Sequence, residues 1–340
     1  MNILFTSAGR RGYLIEYFKE TIGKGGAVHA ANSINCPAFH SADYSVISPL
    51  IYDEEYIPFL LKYCTQWDIS MIIPLLDMDL PVLALNKKRF EEQGVYVLVS
   101  ESSTIEKCND KWNMFQFGIQ NEINVPMSFL DETDVIDAIK KKKLEFPIVI
   151  KPRWGTGTLS VYVADNENEL YILGRKARKE INKGFLKYES ARDINYSIVF
   201  QEYLEGKEYG ADAINNLNGN FVNAIVKEKI IMRAGETDLA ITCQQDKIFA
   251  VAKKLSEKLR HIGNLDIDMI LVDEKVYVID LNARFGGGYP FSHMAGANVP
   301  KAILEWYKGN SEFSDSCFAR IGEKYQKDIR MIVASAIKTR

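Results

Sequence analysis

Two carboxylates near the end of the chain stand at a spacing that can hold a metal ion. Residues 264–288 read NLDIDMILVDEKVYVIDLNARFGGG, two alternating runs around Asp273-Glu274-Lys275, which is the pattern of a β-hairpin. If the turn is that tripeptide, pairing is symmetric about Glu274, with Asp268 opposite Asp280 and Asp266 opposite Asn282. Asp266, Asp268, Ile270, Val276, Val278, Asp280, Asn282 and Arg284 then share one face, and Tyr277, Ile279 and Leu281 point into a core. Directly opposed like charges destabilise a sheet unless a cation sits between them. Oxygen ligands on rigid strands suit Mg²⁺, which also takes phosphate oxygens. Everything depends on the turn, because a two-residue loop would shift the register by one and send the two carboxylates to opposite faces. Ordinary solvated acids at a strand end are the competing reading, and either Asp266 or Asp268 could be the first ligand.

Three other stretches carry chemistry. In FPIVIKPRWGTGTLSVYVA, Lys151 ends an apolar strand and is followed by a loop with Gly155 and Gly157. Glycine loops lay backbone N–H groups against phosphate oxygens, and a lysine at the root adds a point charge. A Walker loop is excluded, since its lysine-serine signature is missing and a strand rather than a helix follows the glycines; a plain hairpin turn is the alternative. In SIVFQEYLEGKEYGAD, a strand runs into Gln201, Glu202, Tyr203 and Leu204, with Glu208 and Asp212 beyond. Its main chain could read a base edge and a carboxylate could hold ribose hydroxyls. Ser7-x-Gly9-x-x-Gly12 is close to a dinucleotide fingerprint, but the acidic residue expected about 20 positions on is replaced by Asn32, which disfavours NAD.

These residues need strands and helices to hold them. From Ile3 to Val99 the chain alternates apolar strand and amphipathic helix, which calls for a parallel α/β sheet. The polar stretch SESST marks a boundary, placing an N-terminal Rossmann-like domain at residues 1–104. Beyond it, consecutive strands joined by short turns indicate an α+β domain of two lobes over residues 105–308, with a mobile flap lobe near 125–200. Residues 309–340 read as a helical and polar tail. Trp112, Phe115 and Ile119 recur at helical spacing and read as core, and the basic runs Lys140–Lys143 and Arg175–Lys179 as solvated helix faces.

Composition narrows the field. Forty-two basic against 45 acidic residues leave a formal charge of −3, and 47% of the 340 residues are hydrophobic. That is a soluble, core-forming chain of two or three domains, with no general affinity for a nucleic-acid backbone. Five scattered cysteines without a C-x-x-C pair and four dispersed histidines argue against disulfides and zinc, and for a reducing cytoplasm. No apolar run reaches the roughly 20 residues of a membrane span, and the expected protein is cytoplasmic and complete. No Ser/His/Asp or Cys/His arrangement supports nucleophilic catalysis.

Taken in order, NDKW with Lys111, VIKP with Lys151, QEYLEGKEY and DIDM…VIDLNARFGGGYP resemble the ATP-grasp superfamily, in the group similar to the large subunit of carbamoyl-phosphate synthase. The last motif is the most specific, since the family's carboxylate, carboxylate-x-Asn-x-Arg spacing falls on Asp268, Asp280, Asn282 and Arg284. The resemblance implies that Lys111 and Lys151 contact ATP phosphates under a loop holding Gly155 and Gly157. It further implies that Gln201, Glu202 and Leu204 meet the adenine and Glu208 the ribose. Asp268, Asp280 and Asn282 would bind one or two Mg²⁺ ions, and Arg284 would stabilise the transferring phosphoryl group. Asp268 and Asp280 replace the family's usual Glu, Ala283 its Pro, and the flap is less serine-rich.

Such enzymes activate a carboxylate as an acylphosphate and pass it to an amine. The expected function is therefore an ATP-dependent carboxylate–amine ligase acting on small molecules, possible as a homodimer. Bicarbonate-plus-ammonia chemistry and a catalytically silent nucleotide-binding module are the alternatives. In KEKIIMRAGETDLAIT, Lys229, Arg233, Gly235, Glu236 and Thr237 are placed to face an acceptor pocket, with Arg233 the candidate carboxylate clamp. Arg10 and Arg11 at the N-terminal turn could reach the same cleft.

Overall fold

Short runs of β-branched and aliphatic residues open the chain as β1 (Asn2–Thr6), β2 (Val28–Asn32), β3 (Tyr44–Ile47), β4 (Ile69–Pro74) and β5 (Tyr96–Val97). With helices α1 (Gly12–Ile22), α2 (Tyr56–Gln66) and α3 (Asp79–Glu91) between them, they form a parallel sheet of order β3-β2-β1-β4-β5. The computed structural model describes residues 1–155, 157–310 and 314–332. Strand order reverses between β1 and β4, so the crevice at their carboxyl ends is the natural ligand position of such a sheet.

Two helices follow, α4 (Ser102–Asn109) and α5 (Lys111–Gln120). Asp110 separates them: its extended backbone stops α4, and its carboxylate caps α5 by accepting from Trp112 and Asn113 N–H groups. Of the expected stripe of Trp112, Phe115 and Ile119, Phe115 packs partly buried against the core. Met114 and Phe117 are buried there, while Ile119 is exposed. Spacing alone could not choose between two apolar stripes on one short helix.

The flap lobe is a four-stranded sheet of order β6-β9-β7-β8, built from β6 (Ser128–Phe129), β7 (Ile148–Pro152), β8 (Tyr162–Ala164) and β9 (Ile198–Glu202). Helices α6 (Glu132–Lys140), α7 (Glu167–Lys183) and α8 (Lys187–Ser190) complete it. The second lobe is a six-stranded antiparallel sheet of order β14-β13-β10-β11-β12-β15. Its strands are β10 (Lys207–Asn215), β11 (Phe221–Arg233), β12 (Glu236–Thr242), β13 (Gly263–Val272), β14 (Lys275–Asn282) and β15 (Lys324–Gln326). Helix α9 (Asp246–Leu259) covers one face, and α10 (Tyr289–Met294) and α11 (Val299–Tyr307) follow the hairpin.

The chemistry of the chain's last third ties these parts together. Phe285, Tyr289, Ile303 and Trp306 share one apolar cluster with Phe5 and Phe18 of the N-terminal layer. The sheet type thus changes near the expected boundary at residue 104, while the core runs across it. The expected polar tail holds a strand, since β15 pairs with β12; residues 311–313 and 333–340 lie outside the described residues. Among the described residues, no helix is long and apolar enough to cross a membrane.

The β13–β14 hairpin differs instructively from expectation. Val272 pairs with Lys275, so the turn is the two-residue loop Asp273-Glu274, with both φ angles positive at 42° and 69°. That loop alone would have split the carboxylates. A β-bulge between Asp268 and Met269 inserts Ile279 as an unpaired extra residue and restores the register, so Asp268 faces Asp280 and Asp266 faces Asn282. Parity changes at the bulge. Val276 and Val278, expected on the carboxylate face, are buried in the core, while Ile279 borders the open side with Asp280.

Candidate functional site

A cleft of about 580 Å³ lies between the two lobes, within the range of small-molecule sites. Its walls come from every stretch singled out above: Lys111, Lys151, Gly155, Gly157, Gln201, Glu202, Leu204, Glu208, Asp268, Asp280, Asn282 and Arg284.

Local chemistry positions the lysines. Asp110, the cap of α5, also accepts two parallel bonds from Arg153 at 2.8 Å each, and the Arg153 carbonyl accepts from Lys111 N–H at 3.1 Å. This exchange locks the start of α5 to the end of β7. The Lys111 ammonium lies 3.2 Å from Asp280 Oδ1, and that of Lys151 donates to the Ile279 carbonyl at 3.1 Å. Burial, then the nearby Lys111, pushes the Lys151 ammonium down to about 8. Past Lys151 the flap turns through Gly157 at φ +61°, and its Thr158 rests on Gly235 of the β11–β12 turn. A Cβ at Gly235 would overlap the Thr158 side chain, so glycine there lets the flap seat.

At the opposite wall, side chains of the connecting strand are already engaged. Gln201 donates to Ser128 Oγ at 2.9 Å, and Glu202 accepts from Met127 N–H at 3.1 Å. Tyr203 and Leu204 follow β9 and border the same space. Glu208 faces Ile270 across the β10–β13 ladder and borders the same space.

The carboxylate end is dense in charge. Asp268 accepts from Lys229 at 2.5 Å. Burial opposes the Lys229 ammonium, but Asp268 more than offsets it and holds the group above its ordinary value. Burial, reinforced by Asp268, pushes the Asp266 carboxyl above the usual carboxylate range. Gly286 is required beside it, because any Cβ there would overlap the Asp266 carboxylate. Among the described residues, no three His, Cys, Asp or Glu side chains converge as a ready-made metal centre. The donors nonetheless fit Mg²⁺: Asp268 and Asp280 are in register, Asn282 stands one pleat away, and a surplus of acid is held in check by lysines. Such an ion takes one or two carboxylates and completes its shell with phosphate oxygens and water. Pairing assigns the facing position to Asp268 rather than Asp266.

Arg284 is buried. Its Nη2 lies 2.5 Å from Asp77 and its Nη1 3.7 Å from Asp266. Burial opposes both members of the Arg284–Asp77 pair, yet their attraction keeps the guanidinium above and the carboxyl below their ordinary values. Asp77 follows β4 and escaped sequence analysis, although an acid just past a parallel strand at the switch point was the available signal. The buried Asp212–Lys227 pair, shared with Ser292, was also missed. Arg233 is not brought to this cleft: it is the last residue of β11, half-exposed and bound to Asp238, and it follows two register shifts in the β11–β12 ladder. Glu236, Thr237 and Lys229 do border the cleft, as does Arg11.

Residues 108–288, more than half of the chain, match the family model described as ATP-grasp domain. The chain belongs to the ATP-grasp family, as its ordered motifs implied. Residues 3–98 match the model described as PylC-like, N-terminal domain. Among solved structures, the biotin carboxylase domain dimer of Hydrogenobacter thermophilus 2-oxoglutarate carboxylase, in complex with MgADP, ADP and bicarbonate, is similar at a TM-score of 0.73. Identity is 16%, over 95% of this chain and 73% of that one. N5-carboxyaminoimidazole synthetase from Staphylococcus aureus complexed with ADP is similar at 0.68, with 15% identity over 96% and 79%. L-amino acid ligase from Bacillus licheniformis is similar at 0.62, with 21% identity over 89% and 73%. At these identities the likeness is one of fold.

Proposed function

We propose that this protein is an ATP-dependent carboxylate–amine ligase that forms an amide through an acylphosphate and releases ADP and phosphate. The observation that carries the reading is the in-register facing of Asp268 and Asp280, with Lys111 and Lys151 beside them under a glycine flap. Lys111 and Lys151 would hold the ATP phosphates, and the peptide groups of Glu202 to Leu204 the adenine. Gln201 shapes that wall through its bond to Ser128, and Glu208 would take the ribose. Asp268, Asp280 and Asn282 would hold Mg²⁺, which supplies countercharge to the phosphates when bound. The substrate carboxylate oxygen attacks the γ-phosphorus as the bridging oxygen leaves with ADP. An amine then attacks the acyl carbon, phosphate departs with the bonding pair, and the amine loses a proton. Arg284, fixed by Asp77, is placed to neutralise charge on the transferring group. The two-domain division near residue 104, a cytoplasmic location and a homodimer belong to the same proposal.

The test is ADP and phosphate release from Mg-ATP across a grid of carboxylates and amines, with hydroxylamine added to trap acylphosphate as hydroxamate. Release that requires one acid and yields its hydroxamate supports the ligase. Release with bicarbonate and ammonia alone would replace it with carbamoyl-phosphate-type chemistry, and Mg-ADP binding without turnover on any acid would leave a binding module.

A further inference from the structure

The cations of the cleft are nearly all neutralised by the chain itself. Lys111 faces Asp280, Lys227 faces Asp212, Lys229 faces Asp268, and Arg284 faces Asp77 and Asp266. Among the described residues, only Lys151 and Arg11 border the cleft without a carboxylate within 4.0 Å. Lys151 stands under the flap, where phosphates are expected. Arg11 stands at the other end, just past β1, in the crevice where the strand order of the N-terminal sheet reverses.

Its surroundings are unusual. Arg11 Nη1 donates to the Phe285 carbonyl, and Arg284 Nη1 donates to the same oxygen at 3.0 Å. One carbonyl therefore holds two guanidiniums side by side. Arg284 has Asp77 and Asp266 within 4.0 Å, whereas the same two carboxylates act on Arg11 only from farther away, so Arg11 is the guanidinium of the pair without a direct ionic partner. Burial and the adjacent Arg284 both press down on the Arg11 guanidinium, yet arginine stays protonated in proteins. A guanidinium bound by one Nη to a carbonyl keeps its Nε–Nη2 edge, the edge that pairs bidentately with a carboxylate. Gly287 and Gly288 line the same cleft without side chains, and a Cβ on Gly287 would meet only Lys327 Nζ at 3.9 Å and the Glu236 carboxylate at 4.0 Å. Phe291 adds an apolar surface to the same cleft.

We infer that Arg11, from the N-terminal domain, is the anchor for a carboxylate of the substrate, taking the role that the sequence suggested for Arg233. The site accepts a small carboxylic acid as its anion, with the charged end on Arg11 and the body over Gly287, Gly288 and Phe291. The N-terminal domain then contributes to acid recognition as well as to packing. This assignment rests on the ligase reading.

The experiment uses the full chain and hydroxamate formation with Mg-ATP and hydroxylamine. One pool of the twenty proteinogenic amino acids and one of simple mono- and dicarboxylic acids identify the best acid. Wild type, Arg11→Gln and Arg11→Lys are then compared on it. Loss of a charge-assisted bidentate contact predicts a KM for the acid raised about 10- to 100-fold in Arg11→Gln, with KM for ATP within twofold and the melting temperature nearly unchanged. Arg11→Lys can still reach the Phe285 carbonyl but lacks the second edge, so its KM for the acid stays raised. Full recovery in Arg11→Lys, an equal rise in both KM values, or no change in Arg11→Gln would each overturn the anchor while leaving a working ligase. Failure of every acid to yield ADP or hydroxamate with wild type would overturn the ligase reading and the anchor with it.

Discussion

The Lys151 ammonium donates to the carbonyl of Ile279 at 3.1 Å, and Ile279 is the one residue of β14 that its ladder with β13 leaves unpaired. A bulge frees a carbonyl that a regular ladder would consume. The same irregularity therefore keeps Asp280 opposite Asp268 and gives the flap lysine its resting partner.

That lysine makes nucleotide affinity depend on pH. With its ammonium lowered to about 8 by burial and by Lys111, Lys151 is charged below that value and neutral above it. A bound polyphosphate favours the charged form, so affinity is full below pH 8 and lost as pH rises through it. Titration calorimetry with Mg-ADP should show Kd rising between pH 8 and 9.5, with a limiting slope of about tenfold per unit. Lys151→Arg, which stays charged, should flatten the profile; a parallel rise in both proteins would exclude Lys151 as the source.

Replacing Asp280 by Asn keeps the size of the side chain and removes a charged oxygen from the Asp268 pairing. Turnover should fall by about 100-fold or more, by analogy with the loss of a single electrostatic stabiliser, and the magnesium concentration giving half-maximal rate should rise. The side chain is partly exposed, so the melting temperature should change little. Unchanged turnover at low magnesium would contradict the metal assignment.

The Asp212–Lys227 pair is almost fully buried and is joined by Ser292 and Asn264. Asp212→Ala would strand an ammonium in the core and should cost about 3–5 kcal/mol in urea unfolding. Asp212→Leu combined with Lys227→Met removes both charges and should recover at least half of that loss. A double variant as unstable as the single one would mean that packing, not charge, is decisive.

His261 is buried, and its Nε2 lies 2.8 Å from Ser256 Oγ. That hydroxyl donates to Asn215 Oδ1 at 2.5 Å, so it accepts from the His261 Nε2–H. Burial lowers the imidazole to about 3 from an ordinary 6.5. Between these values the unfolded chain binds a proton that the folded one refuses. Stability is therefore unaffected above pH 6.5 and falls on acidification below it, by up to about 1.4 kcal/mol per unit from this residue. Urea unfolding at pH 7, 5.5 and 4.5 should show the gap between wild type and His261→Gln narrowing as pH falls. A gap independent of pH would refute the account.

What the sequence determined by itself is the set of local patterns: alternation in the N-terminal layer, the lysine before the glycine loop, and the Asp268, Asp280, Asn282, Arg284 spacing. These follow from side-chain periodicity within one or two elements. The facing of Asp268 and Asp280 was legible, but on the wrong turn. A two-residue loop and a bulge together reach the register that a three-residue turn would have reached alone, and strand pairing energies over the whole sheet decide between those routes. Tertiary structure alone decided the rest. Arg11 meets Phe285 and Asp77 meets Arg284 across 274 and 207 positions of chain. No spacing encodes such meetings, because they arise when the C-terminal helices pack their aromatic residues onto the N-terminal sheet. Arg233, a clamp by residue type, is bound instead to Asp238 outside the cleft, and Arg11 is brought in because the segment around Phe285 packs onto the N-terminal layer.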